Sequence, residues 1–406
     1  MDKGSNPVFN GLKVADFSWV VVGPFISAYL ASYGATVVRV ESATRPDPLR
    51  ASPPFKDGVP GLNRSGFYTL FNSNKLGVSL NLNHPQGVEL AKKIVSWADV
   101  VIENFAPGVM SKWGLSYEEV SKLNPDIIML STSNLGQTGP QASYIGYGTQ
   151  LVAFAGFTHL TGWPDREPSQ PYAGYTDIVA ARFGAIALIA ALDYRDRTGK
   201  GQYLDLSQHE ASLHFLAPAL LDYSVNGREA IRKGNWDPYS APHGAYRCRG
   251  EDRWCVIAVE TEEEWANFCD VIGNPAWSRD SKFASLASRK KHEEELDHLI
   301  EDWTRQYEPD EVVKLLQQHG VPAGMVQTAE ELRKDPQLGH RHHFRMMEHP
   351  ELGKYSWALP GFRLAQAEPA ARHAPCLGEH NEYFYTRILS LSEEEFVRYL
   401  GDGVFD

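Results

Sequence analysis

Strands and helices alternate through the first half of this 406-residue chain, and this pattern constrains the fold more than any other feature. The run LKVADF at 12–17 predicts a buried strand, Gly23-Pro24 opens a helix, and residues 36–40 predict a second strand. Two strands joined through a helix lie parallel in one sheet, with a right-handed crossover. The pattern recurs, which predicts an α/β fold on a Rossmann-like doubly wound sheet. Further strands are predicted at 77–81, 99–103, 127–131 and 202–205, and helices at 87–98, 116–123 and 178–194.

The length of the chain favours more than one domain, because 406 residues exceed what a single hydrophobic core usually holds. Residues 1–225 contain the strand–helix repeats and predict the large Rossmann-like domain. Polar loops and a strand with Cys and Trp follow, so residues 226–330 predict a smaller α+β domain. We expect residues 331–406 to return to the large domain. Helices are predicted in the smaller domain at 262–272, 290–306 and 310–319.

Composition excludes several classes of protein. The formal net charge is −12, and an acidic chain does not suit nucleic-acid binding, which depends on neutralising phosphates. The four cysteines show no CxxC spacing, and the N-terminal sequence has no apolar signal-peptide core. Residues 17–38 carry no charge, but Gly23, Pro24 and Gly34 interrupt them, which argues against a membrane span. We therefore expect a soluble cytoplasmic protein with no nucleic-acid or membrane partner.

Asp177 is the carboxylate that stands out, because it directly precedes the long apolar helix predicted at 178–194. At a helix N-cap the free amides and the helix dipole stabilise the ionised form of a carboxylate. Two interpretations stay open from the residues alone. Asp177 is either a helix cap or a nucleophile toward an acyl group.

Other patterns are weaker. A dinucleotide cofactor requires G-x-G-x-x-G in the first strand–helix turn, and only Gly23 is present there, which favours a structural turn. His292 and His298 are six residues apart and do not share a helix face, and His342 and His343 point to opposite sides of a strand. We therefore predict no metal site.

Several motifs together resemble those of the class III (family III) coenzyme A transferases, and the resemblance covers nearly the whole chain. They are GLKVADF from Gly11, the segment from Leu30 to Glu41, FNSNK ending at Lys75, DVVIENFAPG from Asp99, TGKGQ from Thr198 and GVPAG from Gly320.

The resemblance implies an enzyme that moves CoA from an acyl-CoA donor to a carboxylic acid through an aspartyl acyl anhydride. Asp177 fills the position of the family nucleophile. CoA acts as a substrate, and no permanently bound cofactor is implied. The family fold pairs a Rossmann-like large domain with a small domain, and two chains interlock as a dimer. The partner chain is a second copy or a paralogous subunit, so homodimer and heteromer both stay open.

The family motifs also imply the contacts to substrate. His243 and Gly244, in a loose match to the family's glycine-rich lid loop at 240–245, are candidates for binding the acceptor acid. Val21 stands where formyl-CoA transferase has Gln, which argues against oxalate and favours an acceptor with an apolar part. The segments Arg45–Arg50 and His243–Arg247 resemble the subgroup that handles dicarboxylates such as succinate and benzylsuccinate, so we expect succinyl-CoA as donor and a substituted succinate as acceptor. The implied CoA-binding residues are Val21, Val22, Arg45, Lys75, Leu80, Asn104, Phe105, Ala106, Lys112 and Tyr147.

Two alternative functions are kept. Related acyl-CoA racemases carry Gly-His-Asp where this chain has Gly146-Tyr147-Gly148, so epimerisation lacks its histidine. A non-catalytic CoA-binding subunit of a heteromeric transferase is the other alternative, and the presence of Asp177 argues against it.

Overall fold

A computed structural model describes residues 7–406, which form two compact units that are treated separately below. The first unit ends its first segment at Thr158 and continues with Gln170–Ala230 and Gly339–Asp406. The second comprises His159–Ser169 and Ile231–Leu338. The predicted domain boundaries therefore need three corrections: residues 159–169 belong to the second unit, the main part of that unit begins at Ile231 instead of residue 226, and it extends past residue 330 to Leu338. The first correction has a local cause, since the Gly234 amide donates to the Gly162 carbonyl at 2.8 Å.

The first unit contains a six-stranded parallel sheet, as predicted, with the strand order β3-β2-β1-β4-β5-β6. Each strand is short and apolar, and every neighbouring pair is parallel. The order reverses between β1 and β4, which start two halves of a doubly wound sheet. The strands are β1 Lys13–Asp16, β2 Thr36–Glu41, β3 Leu76–Ser79, β4 Val100–Glu103, β5 Ile128–Ser133 and β6 Gln202–Ser207.

Helices cover both faces of this sheet, because side chains alternate along each strand and both rows are apolar. Val38 and Met129 face one core with Ile94, and Val37 and Ile128 face the other. The helices of the N-terminal half are α1 Val22–Ser32, α2 Gly66–Asn72, α3 Pro85–Trp97, α4 Val109–Lys112, α5 Tyr117–Leu123, α6 Gly148–Phe154, α7 Phe157–Leu160, α8 Tyr175–Thr198, α9 Gln208–Leu213 and α10 Ala217–Asn226.

Helix α8 is longer than the predicted 178–194. It begins after Gly174 and ends at Gly199, whose φ of 69° suits a left-handed cap. Gly184 gives room for Ile26 of α1, so the two helices pack closely. By length and composition α8 could cross a membrane, and its most apolar window is 44% buried in the structure.

The second unit combines a three-stranded antiparallel sheet with helices, and its core includes Phe268, Leu296 and Leu316. The helix predicted at 290–306 is in fact two helices, because His292 leaves the helical region at φ −117°, ψ 26°. The elements are β7 His243–Arg247, β8 Trp254–Ala258, α11 Glu262–Val271, α12 Leu286–Lys291, α13 Glu293–Thr304, α14 Pro309–Gln318, β9 Ala323–Met325, α15 Ala329–Lys334 and α16 Pro336–His340.

The C-terminal segment from residue 339 lies within the first unit. Tyr385 and Phe405 join the core beneath the sheet, and the Asn81 amide donates to the Val404 carbonyl at 2.8 Å. The segment therefore completes the hydrophobic core rather than standing apart from it. Its elements are the hairpin β10 Phe344–His349 and β11 Gly353–Ala358, a π-helical turn at Tyr383–Ile388 and α17 Glu393–Gly401.

Candidate active site

The candidate site lies at the carboxyl edge of the parallel sheet. Ligands of open α/β sheets bind in the crevice where the strand order reverses, here between β1 and β4. Most of the predicted CoA-binding residues follow β1, β2, β3 or β4 directly, so the topology brings them to this one edge. Helix α8 leads into the parallel strand β6 through a short turn, so it runs antiparallel to the strands and starts at the same edge. Asp177 is in its first turn.

Asp177 is the third residue of α8, and Gly174 occupies the cap position, which corrects the predicted N-cap role. The Asp177 amide donates to the Gly174 carbonyl at 3.0 Å. The carboxyl group lies against two glycines: a Cβ at Gly174 would be 2.6 Å from Asp177 Oδ2, and one at Gly148 would overlap that oxygen. Thr176 Oγ donates to the Gly148 carbonyl at 3.2 Å and holds this contact in place. The carboxyl group therefore occupies space that only glycines leave free.

Burial raises the pKa of Asp177 to about 7, and it is the only cause of the shift. The prediction that the helix start would favour the ionised form is therefore wrong in sign. Removal from water outweighs the helix dipole, which contributes only about 0.3–1 kcal/mol. Near neutral pH a large fraction of Asp177 is ionised, with neither a cation nor a hydrogen bond contributing to its pKa shift among residues 7–406. Such a carboxylate is more basic than a solvated one and is a better nucleophile.

Lys75 is bound within the protein. Its ammonium group is fully buried and donates to Asp16 Oδ2 at 3.0 Å, to the Pro24 carbonyl at 2.9 Å and to Asn72 Oδ1 at 3.0 Å. Burial lowers the pKa of Lys75 to about 8, with Asp16 acting in the opposite direction. Lys75 therefore anchors the first turn of α1. Its three hydrogen bonds engage the whole ammonium group within the protein, and its role in CoA binding stays a prediction.

The turn after β1 is held by a residue that follows β4, the strand next to β1 at the point where the strand order reverses. Asn104, which follows β4, accepts from the Trp19 amide at 2.6 Å and donates to the Trp19 carbonyl at 2.6 Å. Both ends of the Asn104 side-chain amide are thus engaged by the backbone. In this structure the residue joins the ends of β1 and β4 instead of offering its amide to CoA.

The remaining CoA candidates fall into two groups. The side chains of Val21, Val22 and Leu80 are buried in the core, so they present little surface to a ligand. Val21 packs with Leu49 and Phe71, and its contact with CoA stays a prediction. The accessible candidates are Arg45, Phe105, Ala106, Lys112 and Tyr147.

Two of the accessible candidates, Arg45 and Phe105, form a row with Trp19 along the carboxyl edge. The Arg45 guanidinium lies 5.4 Å from the centre of the Trp19 ring, and Trp19 meets Phe105 edge-on at 5.7 Å. The centre of the Phe105 ring in turn lies 5.4 Å from the centre of the Trp113 ring. Cation and aromatic faces side by side suit a nucleotide, whose phosphates need positive charge and whose base needs a flat apolar surface.

His243 and Gly244 belong to the second unit and lie in strand β7, paired with Ala258 and Ile257 of β8. The second half of the predicted lid loop at 240–245 is therefore strand, because the residues from His243 onward pair with β8. His243 Nδ1 lies 2.7 Å from the Asn235 carbonyl oxygen. A role for these two residues in binding the acceptor acid stays a prediction.

Sequence reasoning missed the groups that shape the site. Gly148 and Gly174 are 29 and 3 residues before Asp177, and nothing in the local sequence marks them as its neighbours. Asp47 and Arg39 support the turn between β1 and α1. Both lie in segments that resemble the family, but nothing in the sequence indicated this structural role. Among residues 7–406, no group of three or more His, Cys, Asp or Glu residues is arranged to hold a metal ion.

The fold and site together define an α/β enzyme with a partly buried carboxylate at the crevice of a doubly wound sheet. Residues 9–381 match the model of CoA-transferase family III. The chain therefore belongs to CoA-transferase family III, and it is a CoA-transferase, as the resemblance of its motifs predicted.

Individual relatives agree with this assignment. The chain is 33% identical to succinyl-CoA–D-citramalate CoA-transferase of Chloroflexus aurantiacus, over 95% of this chain and 94% of that protein. It is 32% identical to succinate–glutarate CoA-transferase of Agrobacterium fabrum, over 92% and 94%. A solved CaiB/BaiF family protein from Brucella suis superposes with a TM-score of 0.86 at 30% identity, covering 94% of this chain and all of that one.

Proposed function

We propose that this enzyme transfers CoA from succinyl-CoA to a substituted succinate through an anhydride formed on Asp177. The observation that supports the covalent role is the environment of the Asp177 carboxyl group. It lies between Gly148 and Gly174 at the start of α8, and burial raises its pKa to about 7. A carboxylate that is poorly solvated and sterically open attacks a thioester more readily than one in water.

The proposed reaction requires only carboxylates and the CoA thiolate. An Asp177 oxygen attacks the donor thioester carbon, and the C–S bond breaks. CoA leaves as a thiolate, and the acyl group remains on Asp177 as a mixed anhydride. The thiolate attacks the aspartyl carbonyl, which releases the donor acid and leaves an aspartyl-CoA thioester. The acceptor carboxylate then displaces the thiolate and forms a second anhydride. Attack of the thiolate on the acceptor carbonyl gives the new acyl-CoA and regenerates the Asp177 carboxylate.

The CoA nucleotide is proposed to lie along the row of Arg45, Trp19 and Phe105, with Lys112 near its phosphates. Arg45 and Lys112 are exposed, and neither belongs to an ion pair among the described residues. Exposed cations that are not already neutralised are available to phosphate oxygens. This position also leads the pantetheine arm toward the crevice between β1 and β4, the same edge at which α8 begins.

The acceptor class is proposed from the chemistry of the relatives. Citramalate, named in one relative, is a succinate with a methyl and a hydroxyl substituent, and glutarate, named in the other, is one methylene longer than succinate. Both share two carboxylates on a short chain. A panel of citramalate, malate, glutarate, benzylsuccinate and oxalate, assayed with succinyl-CoA, separates a hydroxylated acceptor from an aromatic one. We expect the substituted succinates to exceed oxalate in kcat/KM, and a preference for oxalate would contradict the proposal.

The covalent step is tested by trapping. Hydroxylamine added during turnover should convert the activated carboxyl to an Asp177 hydroxamate, identified in the corresponding peptide by mass spectrometry. Asp177→Ala should lose transfer and trapping while still binding CoA. Asp196→Ala, an exposed aspartate of the same helix, is the matched control and should behave like the wild type. Near-normal turnover by Asp177→Ala would eliminate the covalent role.

The same assay separates the alternative functions. A racemase would incorporate solvent deuterium into the acyl group of an acyl-CoA without any acceptor acid. A non-catalytic subunit would bind CoA but transfer nothing until a paralogous chain is added. Transfer by the purified single chain, without deuterium incorporation, is the result that supports the proposal.

An interlocked dimer is the proposed assembly, in the cytoplasm and with no permanently bound cofactor. The proposal is supported by apolar side chains that stay exposed on α8 and α10 within a single chain, among them Ile186, Ile189, Leu221 and Val225. Patches of this kind usually mark a protein interface. Because interlocked rings cannot separate without unfolding, dilution in sedimentation experiments should yield no folded monomer. Reversible dissociation into folded monomers would contradict the interlocked topology.

A further inference from the structure

The turn between β1 and α1 is held in a strained conformation, and we propose that Asp47 and Asn104 are positioning residues that maintain it for catalysis. The inference deepens the proposed function, since the turn borders the crevice in which acyl-CoA would react. Neither residue needs to touch the substrate. Each acts through the backbone of Trp19 and Val20, which leads directly into the start of α1.

The strain is at Val20, whose φ is 64°. A β-branched residue is disfavoured in this left-handed region, because its side chain crowds the backbone, and such a residue persists only when its surroundings hold it. The next residue, Val21, returns to φ −116° and caps α1. The chain thus reverses direction within two residues, and the strained residue sets where α1 begins.

Asp47 holds the strained residue. Its Oδ2 accepts a hydrogen bond from the Val20 amide at 3.0 Å and from Arg39 Nη2 at 2.6 Å. Its other oxygen accepts from the Leu49 amide at 2.8 Å. The Asp47 side chain is fully buried, as is the Arg39 side chain that it pairs with. A buried carboxylate fixed by an arginine and an amide is a rigid acceptor for the Val20 N–H.

The support continues into the sheet. Arg39 of β2 lies between Asp47 and Asp16, with Nη1 at 3.7 Å from Asp16 Oδ1. Asp16 of β1 in turn receives Lys75, which also binds the Pro24 carbonyl in the first turn of α1. A continuous set of buried charges therefore connects two strands to both sides of the turn. This explains why so many ionic groups are buried under one short loop.

Asn104 holds the residue before Val20 from across the strand reversal, with one hydrogen bond to the Trp19 amide and one to its carbonyl, each at 2.6 Å. Together Asp47 and Asn104 fix two consecutive peptide groups, and they do so from the connections that follow β2 and β4. Loss of either contact allows Val20 to relax toward negative φ, which rotates the peptide and displaces Trp19. The row of Arg45, Trp19 and Phe105 would then lose its middle member.

A glycine at position 20 distinguishes this positioning role from simple structural support, because glycine adopts φ near 64° without strain. We expect Asp47→Ala to lower kcat/KM for acyl-CoA at least about tenfold and to lower Tm. Val20→Gly alone should stay within about threefold of the wild type, because Asp47 still holds the turn. The double variant should recover most of the lost kcat/KM while its Tm stays low, because Arg39 still lacks the nearer of its two carboxylate partners. Asp196→Ala, the exposed aspartate of α8 already used as a control, should change neither quantity.

The proposal would be overturned if kcat/KM and Tm both fall in Asp47→Ala and both stay low when Val20→Gly is added. If Asp47→Ala does not fold, Asn104→Ala provides the second test, because Asn104 is only partly buried. It should retain Tm within a few degrees and lose at least about tenfold in kcat/KM, and unchanged kcat/KM would refute its role. A crystal structure of either variant reports φ of Val20 without any assay. A wild type that transfers no CoA would therefore refute the proposed function, whereas an unchanged Val20 would refute the positioning role.

Discussion

Replacing Asp177 with asparagine should make the folded protein more stable at alkaline pH, even though it should abolish transfer. The side chain keeps its shape but cannot ionise. In the wild type, burial raises the pKa of Asp177 from the ordinary 3.8 to about 7. The folded state therefore binds the proton more tightly than the unfolded state, and stability falls as pH rises through the window between these two values. The asparagine variant does not experience this loss.

The magnitude follows from the two pKa values. They differ by about 3 units, and each unit corresponds to about 1.36 kcal/mol. The wild type should therefore lose up to about 4 kcal/mol by pH 8, and less than about 1 kcal/mol at pH 4, where the carboxyl is largely protonated in both states. The first figure is an upper bound, because the Asp177 side chain retains some contact with solvent. Relative to the wild type, Asp177→Asn should thus gain stability steadily from pH 4 to pH 8.

Urea unfolding at each half unit of pH measures this difference directly. Asp196→Asn serves as the control, because Asp196 is an exposed carboxylate on the same helix and should show little pH dependence. A stability difference between Asp177→Asn and the wild type that does not change between pH 4 and pH 8 would refute the reasoning. The carboxyl would then be solvated, and its nucleophilicity would need another explanation.

The same pKa of Asp177 predicts that kcat/KM rises with pH and levels off above about pH 7, measured at saturating acceptor. Gly148→Ala should reduce kcat severely, because the new methyl displaces the Asp177 carboxyl, whereas Gly339→Ala, with open space at its Cβ, should not. Gly184→Ala should cost about 1–3 kcal/mol in urea unfolding through overlap with Ile26, and less in an Ile26→Val background.

The fold could be predicted from local patterns because each strand and helix carries its own signal. The six parallel strands follow from short apolar runs separated by amphipathic segments, and Gly199 marks the end of α8. The position of Asp177 at the carboxyl edge then follows from topology alone, since α8 must run antiparallel to the strand after it.

The environment of the site could not be predicted, because it depends on contacts between distant residues. Lys75 reads as a surface or phosphate-binding lysine, and only the fold places it beside Asp16, 59 positions away. The shift in the pKa of Asp177 has the same origin. A helix-start position favours the charged form, whereas the carboxyl is buried against Gly174, which caps the same helix, and against Gly148, which begins α6 29 residues earlier.

The buried carboxylates near the carboxyl edge differ in how their charge is balanced, and this difference supports the proposal that Asp177 is the nucleophile. Burial alone would raise the pKa of Glu41, but hydrogen bonds and charge from Arg50 hold it at about 2. Burial raises the pKa of Glu103 to about 7, yet its oxygens are engaged by Ser131 and by the Phe105 amide. A carboxylate that already accepts hydrogen bonds or faces an arginine would lose those interactions on attacking a thioester, which opposes the reaction. Burial is the only contribution to the pKa shift of Asp177. Forming a neutral anhydride therefore relieves the cost of its buried charge, and the same feature that destabilises the folded protein at high pH favours the covalent step.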